Sequence, residues 1–472
     1  MSDINSLQSL FGSILSPDRI LADQASLTHY GRDWLKDYKP APALVVLPEK
    51  ITELQALVKL CAERKIAIVP SGGRTGLSGG ATATNGEVVV SLERMRSILE
   101  INRVDRTARC QAGVTIEQLQ LAAAEQGLYF PVDFSSRGSA QVGGAIATNA
   151  GGIRVIKYGN IRDSVLGLTV ITGGGEILNL NGSLFKNNSG YDLRNLFIGS
   201  EGTLGIIVEA TLTLASPPNE IVRALCGLAS IDDLLPLLTY SRDKLPNLSA
   251  FECMERLPFA EVVTHRGLRD PLSQAYPAYA LIECELASSQ DREGVTNTLA
   301  EAYERGLVQD IVVSESTAQA NELMNLRDYI SETMSQHYTI HKNDISVPIS
   351  AIPVFLNDLH RSLKSAYPTF QVAVFGHVGD GNLHVNVLKP SSMEDKDFFE
   401  QCRQADHIVF QCVATHSGSV SAEHGVGLLK RDFIHYTRSQ AEIECMRGIK
   451  RVFDPSGIMN PGKVIKPSLI HF

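Results

Sequence analysis

"PSGGRTGLSGG", residues 70 to 80, puts five glycines into eleven positions. It follows a short apolar run, Ile66 to Val69, that reads as a buried strand, and ahead of that run "ITELQALVKLCAERK" carries apolar residues at 54, 57, 58 and 61. That spacing predicts a helix, with Thr52 and Gln55 as its capping box. A glycine cluster at a strand exit lets the chain turn sharply and bring backbone N–H groups close to an anionic ligand. The stretch is neither a G-x-x-x-x-G-K-[ST] loop nor a G-x-G-x-x-G opening a helix, so an ordinary nucleotide-triphosphatase or nicotinamide Rossmann site is disfavoured.

Glycine-rich stretches recur at "SSRGSAQVGGAIATNAGG" (135 to 152) and "GSEGTLGIIVEATLTL" (199 to 214). Three such stretches in one α+β region, rich in small donors and free of cationic clusters, predict a large phosphate-bearing cofactor wrapped by backbone amides. After "ASPPNE" (215 to 220) the texture changes and a second domain is expected. There, strand-like runs such as "AYALIECEL" alternate with helical stretches, which predicts an antiparallel sheet with helices on one face. In the predicted helix "AQANELMNLRDYISETMSQHY" (318 to 338), Arg327 and Ser331 stand four apart and share a face. In "RVFDPSGIMNPGKVI" (451 to 465) a helix is expected to stop before Pro455, with a turn at Pro461-Gly462. The boundaries expected are 1–215, 216–428 and 429–472.

The second half carries "FGHVGDGNLHVNV", residues 375 to 387. Its Asp380-Gly381 pair predicts a two-residue type I′ hairpin. That register sets His377 directly opposite His384, with Asn386 on the same face. "SVSAEHGVGLLKR" (419 to 431) adds Glu423 and His424 in a glycine-punctuated turn. Two histidines and a carboxylate form the ligand set of a catalytic divalent metal site, zinc foremost.

Composition narrows the classes further. The 472 residues carry a formal net charge of −9 and are 44% hydrophobic. No basic patch points to nucleic acid or an anionic membrane. The eight cysteines contain no C-x-x-C, which disfavours an Fe–S cluster or a thiolate zinc site and suits reduced thiols of the cytoplasm. The N-terminus lacks a basic n-region and a long apolar core, no run is long enough to span a membrane, and no repeat is present.

The three glycine segments resemble the flavin-binding segments of the vanillyl-alcohol-oxidase and p-cresol-methylhydroxylase type of FAD domain, in the branch of D-2-hydroxy acid dehydrogenases that includes those acting on D-lactate, glycolate and D-2-hydroxyglutarate. The likeness spans nearly the whole chain. It implies that Ser71, Gly72, Gly73, Arg74, Thr75 and Gly76 hold the FAD pyrophosphate. Pro131, Asp133, Ser139, Gly143, Gly144, Thr148, Asn149, Glu201, Gly202, Ile206 and Ile207 would line the rest, with the C-terminal segment returning to bring Asn460 to the flavin edge. Relatives that attach flavin covalently do so through a histidine after the Gly-Gly of the first loop; Arg74 stands there, which implies non-covalent FAD. Arg327, Ser331 and Lys342 are similar to the group that holds substrate carboxylates in D-2-hydroxyglutarate dehydrogenases, and two cations suit a dicarboxylate. The metal would sit on His377, His384 and Glu423, Asn386 would bind substrate oxygens, and His424 would be the general base, since a histidine with a pKa of roughly 6.5 accepts a proton near neutrality. The likeness also implies an electron-transfer flavoprotein or a quinone as acceptor, and a homodimer is expected. A D-lactate or malate dehydrogenase stays open within the class, and a zinc hydrolase outside it.

Overall fold

The computed structural model describes residues 4–288 and 290–466. The chain divides into two compact units. Of the described residues, the first comprises 4–152, Gly159–Pro217 and 423–466; the second comprises Ile153–Tyr158, 218–288 and 290–422.

Two sheets build the first unit. In the smaller, strands Leu44–Val46, Val88–Ser91 and Ile68–Ser71 run parallel, with Ile20–Leu21 antiparallel on one edge. Helix Ile51–Arg64 buries Leu54, Leu57, Val58 and Cys61, the four apolar positions read from the sequence. Its cap lies two residues earlier than expected: Glu53, not Gln55, accepts the N–H groups of Glu49 and Lys50. Arg19 claims the same carboxylate at 2.8 Å, which gives Glu53 a partner that Gln55 lacks. The larger sheet is antiparallel, in the order Ile98–Asn102, Thr107–Gln111, Gly205–Thr213, Val165–Thr172, Ile177–Leu180. Helix Gln440–Phe453 stops before Pro455, and the chain then lays Met459 beside Ile68 as a parallel bridge, with Asn460 N–H donating to Ile68 O.

The second unit is a seven-stranded antiparallel sheet in the order Asp310–Val313, Glu220–Leu228, Ala278–Leu286, Leu248–Glu255, Gln371–Gly376, Asn382–Leu388, Ile340–Ser346. Helices cover both of its faces rather than one. The strand Ala278–Leu286 is buried at every position, and a strand buried on both faces needs cover on both. Helices Arg256–Arg266, Thr317–Asp328 and Ile330–His337 pack on the face of Met254, Tyr279 and Phe375. Helix Asp395–Thr415 takes the other, where Asp406 Oδ1 accepts from His341 and Asn343. Among the described residues no helix is long and apolar enough to cross a membrane.

Candidate functional site

In the first unit the glycine loops lie against one another. A Cβ on Gly73 would fall 2.0 Å from Ser139 O, and one on Gly143 would fall 2.6 Å from the Ala112 Cβ, so only glycine allows these approaches. Gly144 differs, because a Cβ there would meet nothing within 4 Å. The same unit holds buried polar atoms with no hydrogen-bond partner among the described residues: Ser71 Oγ, Gln141 Oε1, which faces Gly72 beside Gly144, and Asn460 Oδ1. Such groups are costly without a partner, and a bound polar ligand supplies one. This bed of open glycines and unsatisfied donors and acceptors fits FAD.

The remaining residues of the bed divide by what their side chains touch. Arg74 has φ +58° and turns its guanidinium over the Tyr30 ring at 4.7 Å, toward His29. Thr75 and Gly76 continue the loop, and Gly76 O accepts from Trp34 N–H. Pro131 is buried, and Asp133 gives its carboxylate to Arg137 at 2.9 Å. Thr148 bonds back to Gly144 O, and Asn149, with φ +52°, accepts from Arg162 N–H. Gly202 sits with φ +70° against Pro70, while Ile206 and Ile207 are buried in strand Gly205–Thr213.

Glu201 does something the sequence did not suggest. Its two carboxylate oxygens accept the N–H groups of Val426 and Gly427 at 2.7 and 2.8 Å, and Ser78 Oγ donates to His424 O and Gly425 O. The turn bearing Glu423 and His424 is thus held by the loops of the cofactor bed. Burial pushes the Glu201 carboxyl up to about 7, against the lowering by those two amides. His424 Nε2 lies 3.5 Å from Glu423 Oε1. Asn460 Nδ2 donates to Gly80 O and Glu201 O, tying the C-terminal segment into the same knot.

The second unit presents a polar row on the sheet face carrying Phe375. Here the hairpin departs from its expected register. Phe375, not His377, stands opposite His384, and residues 377 to 381 form a longer connection in which Asn382 N–H donates to His377 O. Asp380 does not adopt the positive φ that a type I′ turn requires. Tertiary bonds prevail over the local turn: Gly379 N–H donates to Phe251 O, and Arg242 Nη2 donates to Gly379 O. The two imidazoles still lie near each other, with ring centroids 5.5 Å apart. Asp344, directly opposite His384, is buried and accepts from Asn382 Nδ2 and from the Ala422 N–H. His384 and Asp344 offer a ring nitrogen and a carboxylate oxygen within 4.8 Å of each other. In the first unit, Glu423 and His424 meet the same condition.

The substrate residues separate more. Tyr329 divides the expected long helix, so Arg327 is buried at the end of one helix and Ser331 is exposed at the start of the next. Arg327 Nε donates to Glu252 Oε2 at 2.7 Å, and Glu252 Oε1 receives His377 Nδ1 at 2.7 Å. Lys342 is exposed opposite buried Asn386, and its Nζ donates to Ser335, one turn beyond Ser331. Asn386 Nδ2 has no partner among the described residues. Gln141, Glu252, Asp344 and Ser335 were not foreseen. For Glu252 the signal was present: a carboxylate inside the apolar run "LSAFECM" must find a partner.

Comparison with known proteins follows the same division. Residues 42–181 match the family model described as FAD binding domain, and 217–464 match that of FAD linked oxidases, C-terminal domain. The chain is 48% identical over 452 residues to a D-2-hydroxyglutarate dehydrogenase of Stutzerimonas stutzeri (strain A1501), covering 96% of this chain and 97% of that one. It is 35% identical to the mitochondrial D-2-hydroxyglutarate dehydrogenase of Arabidopsis thaliana, with 98% and 82% covered. Its fold matches p-cresol methylhydroxylase with substrate bound at a TM-score of 0.78, with 15% identity and 98% and 97% covered. The chain belongs to the FAD-linked oxidase family, in the group that holds the D-2-hydroxyglutarate dehydrogenases.

Proposed function

We propose that the protein is an FAD- and divalent-metal-dependent dehydrogenase that oxidises D-2-hydroxyglutarate to 2-oxoglutarate. The observation that carries this reading is the 48% identity, over nearly the whole of both chains, to a dehydrogenase named for that substrate. Bound FAD supplies the acceptor for the hydride that leaves C2, and a divalent cation supplies positive charge beside the 2-hydroxyl. His377, His384 and Glu423 would hold the cation, for which zinc suits the two-nitrogen, one-carboxylate set.

Arg327 grips one substrate carboxylate, and Lys342 receives the distal one as a compact point charge. Asn386 offers its buried Nδ2 to a substrate oxygen, and Ser331 stands at the outer wall. His424 takes the hydroxyl proton onto a ring nitrogen as the C2 carbonyl forms. Glu423 Oε1, 3.5 Å from His424 Nε2, offsets the charge of the imidazolium that results. Reoxidation by an electron-transfer flavoprotein or a quinone is proposed from the family resemblance alone.

The test is a His424→Ala variant titrated anaerobically with D-2-hydroxyglutarate while flavin bleaching is followed. FAD and metal contents stay at the parent level and kcat falls by about 10²–10⁴. Unchanged turnover removes His424 as the base. Bleaching of the parent by D-lactate in preference to D-2-hydroxyglutarate assigns a monocarboxylate substrate instead.

A further inference from the structure

Glu252 is fully buried on strand Leu248–Glu255, and it touches two residues of the proposed site. Oε1 accepts from His377 Nδ1 and Oε2 from Arg327 Nε, both at 2.7 Å. Arg327 is further confined by the Phe375 ring, 4.9 Å beneath its guanidinium carbon.

The two ends of the His377 ring face opposite chemistry. A carboxylate only accepts, so Glu252 keeps the proton on Nδ1 and leaves Nε2 as the ring nitrogen with a lone pair. Glu252 therefore selects the neutral tautomer that ligates a cation through Nε2, and such a cation would replace the long 3.4 Å contact that Arg327 Nη2 makes there. The geometry also explains why the connection 377 to 381 abandons the tight hairpin. Gly379 N–H is bonded to Phe251 O, the residue before Glu252, which draws His377 toward that carboxylate.

We infer that Glu252 is a positioning residue serving two functional side chains at once: it holds His377 in the metal-binding tautomer and aims Arg327 at a substrate carboxylate. This rests on the reading of His377 as a metal ligand and Arg327 as a substrate cation. Metal affinity and substrate affinity are then coupled through one buried group, and neither can be changed there without the other.

The experiment measures Zn²⁺ affinity of the FAD-loaded protein by chelator competition, alongside KM and kcat, in Glu252→Gln, in Glu252→Gln/Arg327→Met and in His384→Ala. Glutamine keeps one acceptor oxygen and turns an N–H₂ toward the second donor, so Glu252→Gln weakens zinc binding by roughly 10–100-fold and raises KM. Adding Arg327→Met removes the conflicting donor and the uncompensated charge, so the amide oxygen settles on His377 Nδ1–H. Zinc affinity then returns close to the parent value while KM stays high. That rescue separates positioning from general damage to the fold, and the double variant keeps the test decisive if Glu252→Gln alone does not fold. Unchanged zinc affinity in Glu252→Gln, or no recovery in the double variant, overturns the role of Glu252 provided that His384→Ala has lost zinc. If His384→Ala keeps full zinc affinity, the metal reading fails and takes this inference with it.

Discussion

Glu201 and Glu252 are both buried carboxylates, one in each compact unit, and their surroundings push them in opposite directions. Around Glu201 the partners are backbone N–H groups of 426 and 427, and burial prevails, raising the carboxyl to about 7. Around Glu252 they are a guanidinium and an imidazole, and the carboxyl is lowered. The first unit builds its site from backbone groups and glycine clearance with little fixed charge, which suits a large cofactor bound along its length. The second builds from paired ionic side chains, which suits a small anion and a cation held at defined points.

The largest expected effect breaks the comparison by pH. Glu201's native pKa of about 7 lies above its ordinary value of 4.5, so its contribution to stability is full below pH 4.5 and is lost as pH rises through 7. The loss is roughly 3 kcal/mol. Glu252 has the opposite sign: its contribution is full above the ordinary carboxylate range and is lost only in stronger acid. Chemical denaturation of Glu201→Gln, followed by flavin release at pH 5 and pH 8, shows a difference between the two pH values smaller than the parent's by that amount. Equal differences in the two proteins would mean that the amides of 426 and 427 already keep Glu201 ionised.

A smaller effect sharpens the contrast inside the first unit. Gly143 and Gly144 are neighbours in helix Val142–Thr148, where glycine is less favourable than alanine by about 1 kcal/mol. Gly143→Ala collides with Ala112 and costs roughly 1–3 kcal/mol. Gly144→Ala meets no protein atom within 4 Å, so melting of the apoprotein is unchanged or raised while FAD affinity falls. Thermal melts and FAD titrations of the two variants separate glycine kept for packing from glycine kept for the cofactor. FAD binding to Gly144→Ala at the parent affinity would place the cofactor elsewhere.

That separation also shows what was legible in the sequence. The glycine bed could be read because its requirement is local: a missing Cβ at a strand exit means the same thing in any context. The helix Ile51–Arg64 could be read for the same reason, since its buried positions repeat at helical spacing. The hairpin register could not be read, because Phe251 O and Arg242, more than a hundred residues away, decide where Gly379 sits. The break at Tyr329 likewise carries no proline or glycine to mark it. His377 and Arg327 were found as separate candidates, but the buried carboxylate joining them lies 75 residues before Arg327 and becomes visible only when strands pair.

Lys342 offers the smallest stability effect and the finest test of the second unit. Its side chain is exposed and its Nζ donates to Ser335 Oγ at 2.9 Å, so Lys342→Ala changes stability by no more than about 0.5 kcal/mol. Its registry partner Asn386 is buried, and its Nδ2 has no hydrogen-bond partner among the described residues, which puts a neutral donor and a cation side by side on the proposed substrate face. Arg327 is already neutralised by Glu252, whereas among the described residues no carboxylate pairs with Lys342. Lys342 is therefore the cation left without a carboxylate partner among the described residues, and so the one a second substrate carboxylate would meet. Losing a charge-assisted hydrogen bond of about 1.5–3 kcal/mol raises KM for D-2-hydroxyglutarate by roughly 10–100-fold. D-lactate, with one carboxylate, loses nothing at that position, so its kcat/KM stays at the parent value. An equal loss on both substrates would remove Lys342 from the distal end of the site and leave the dicarboxylate preference without its cation.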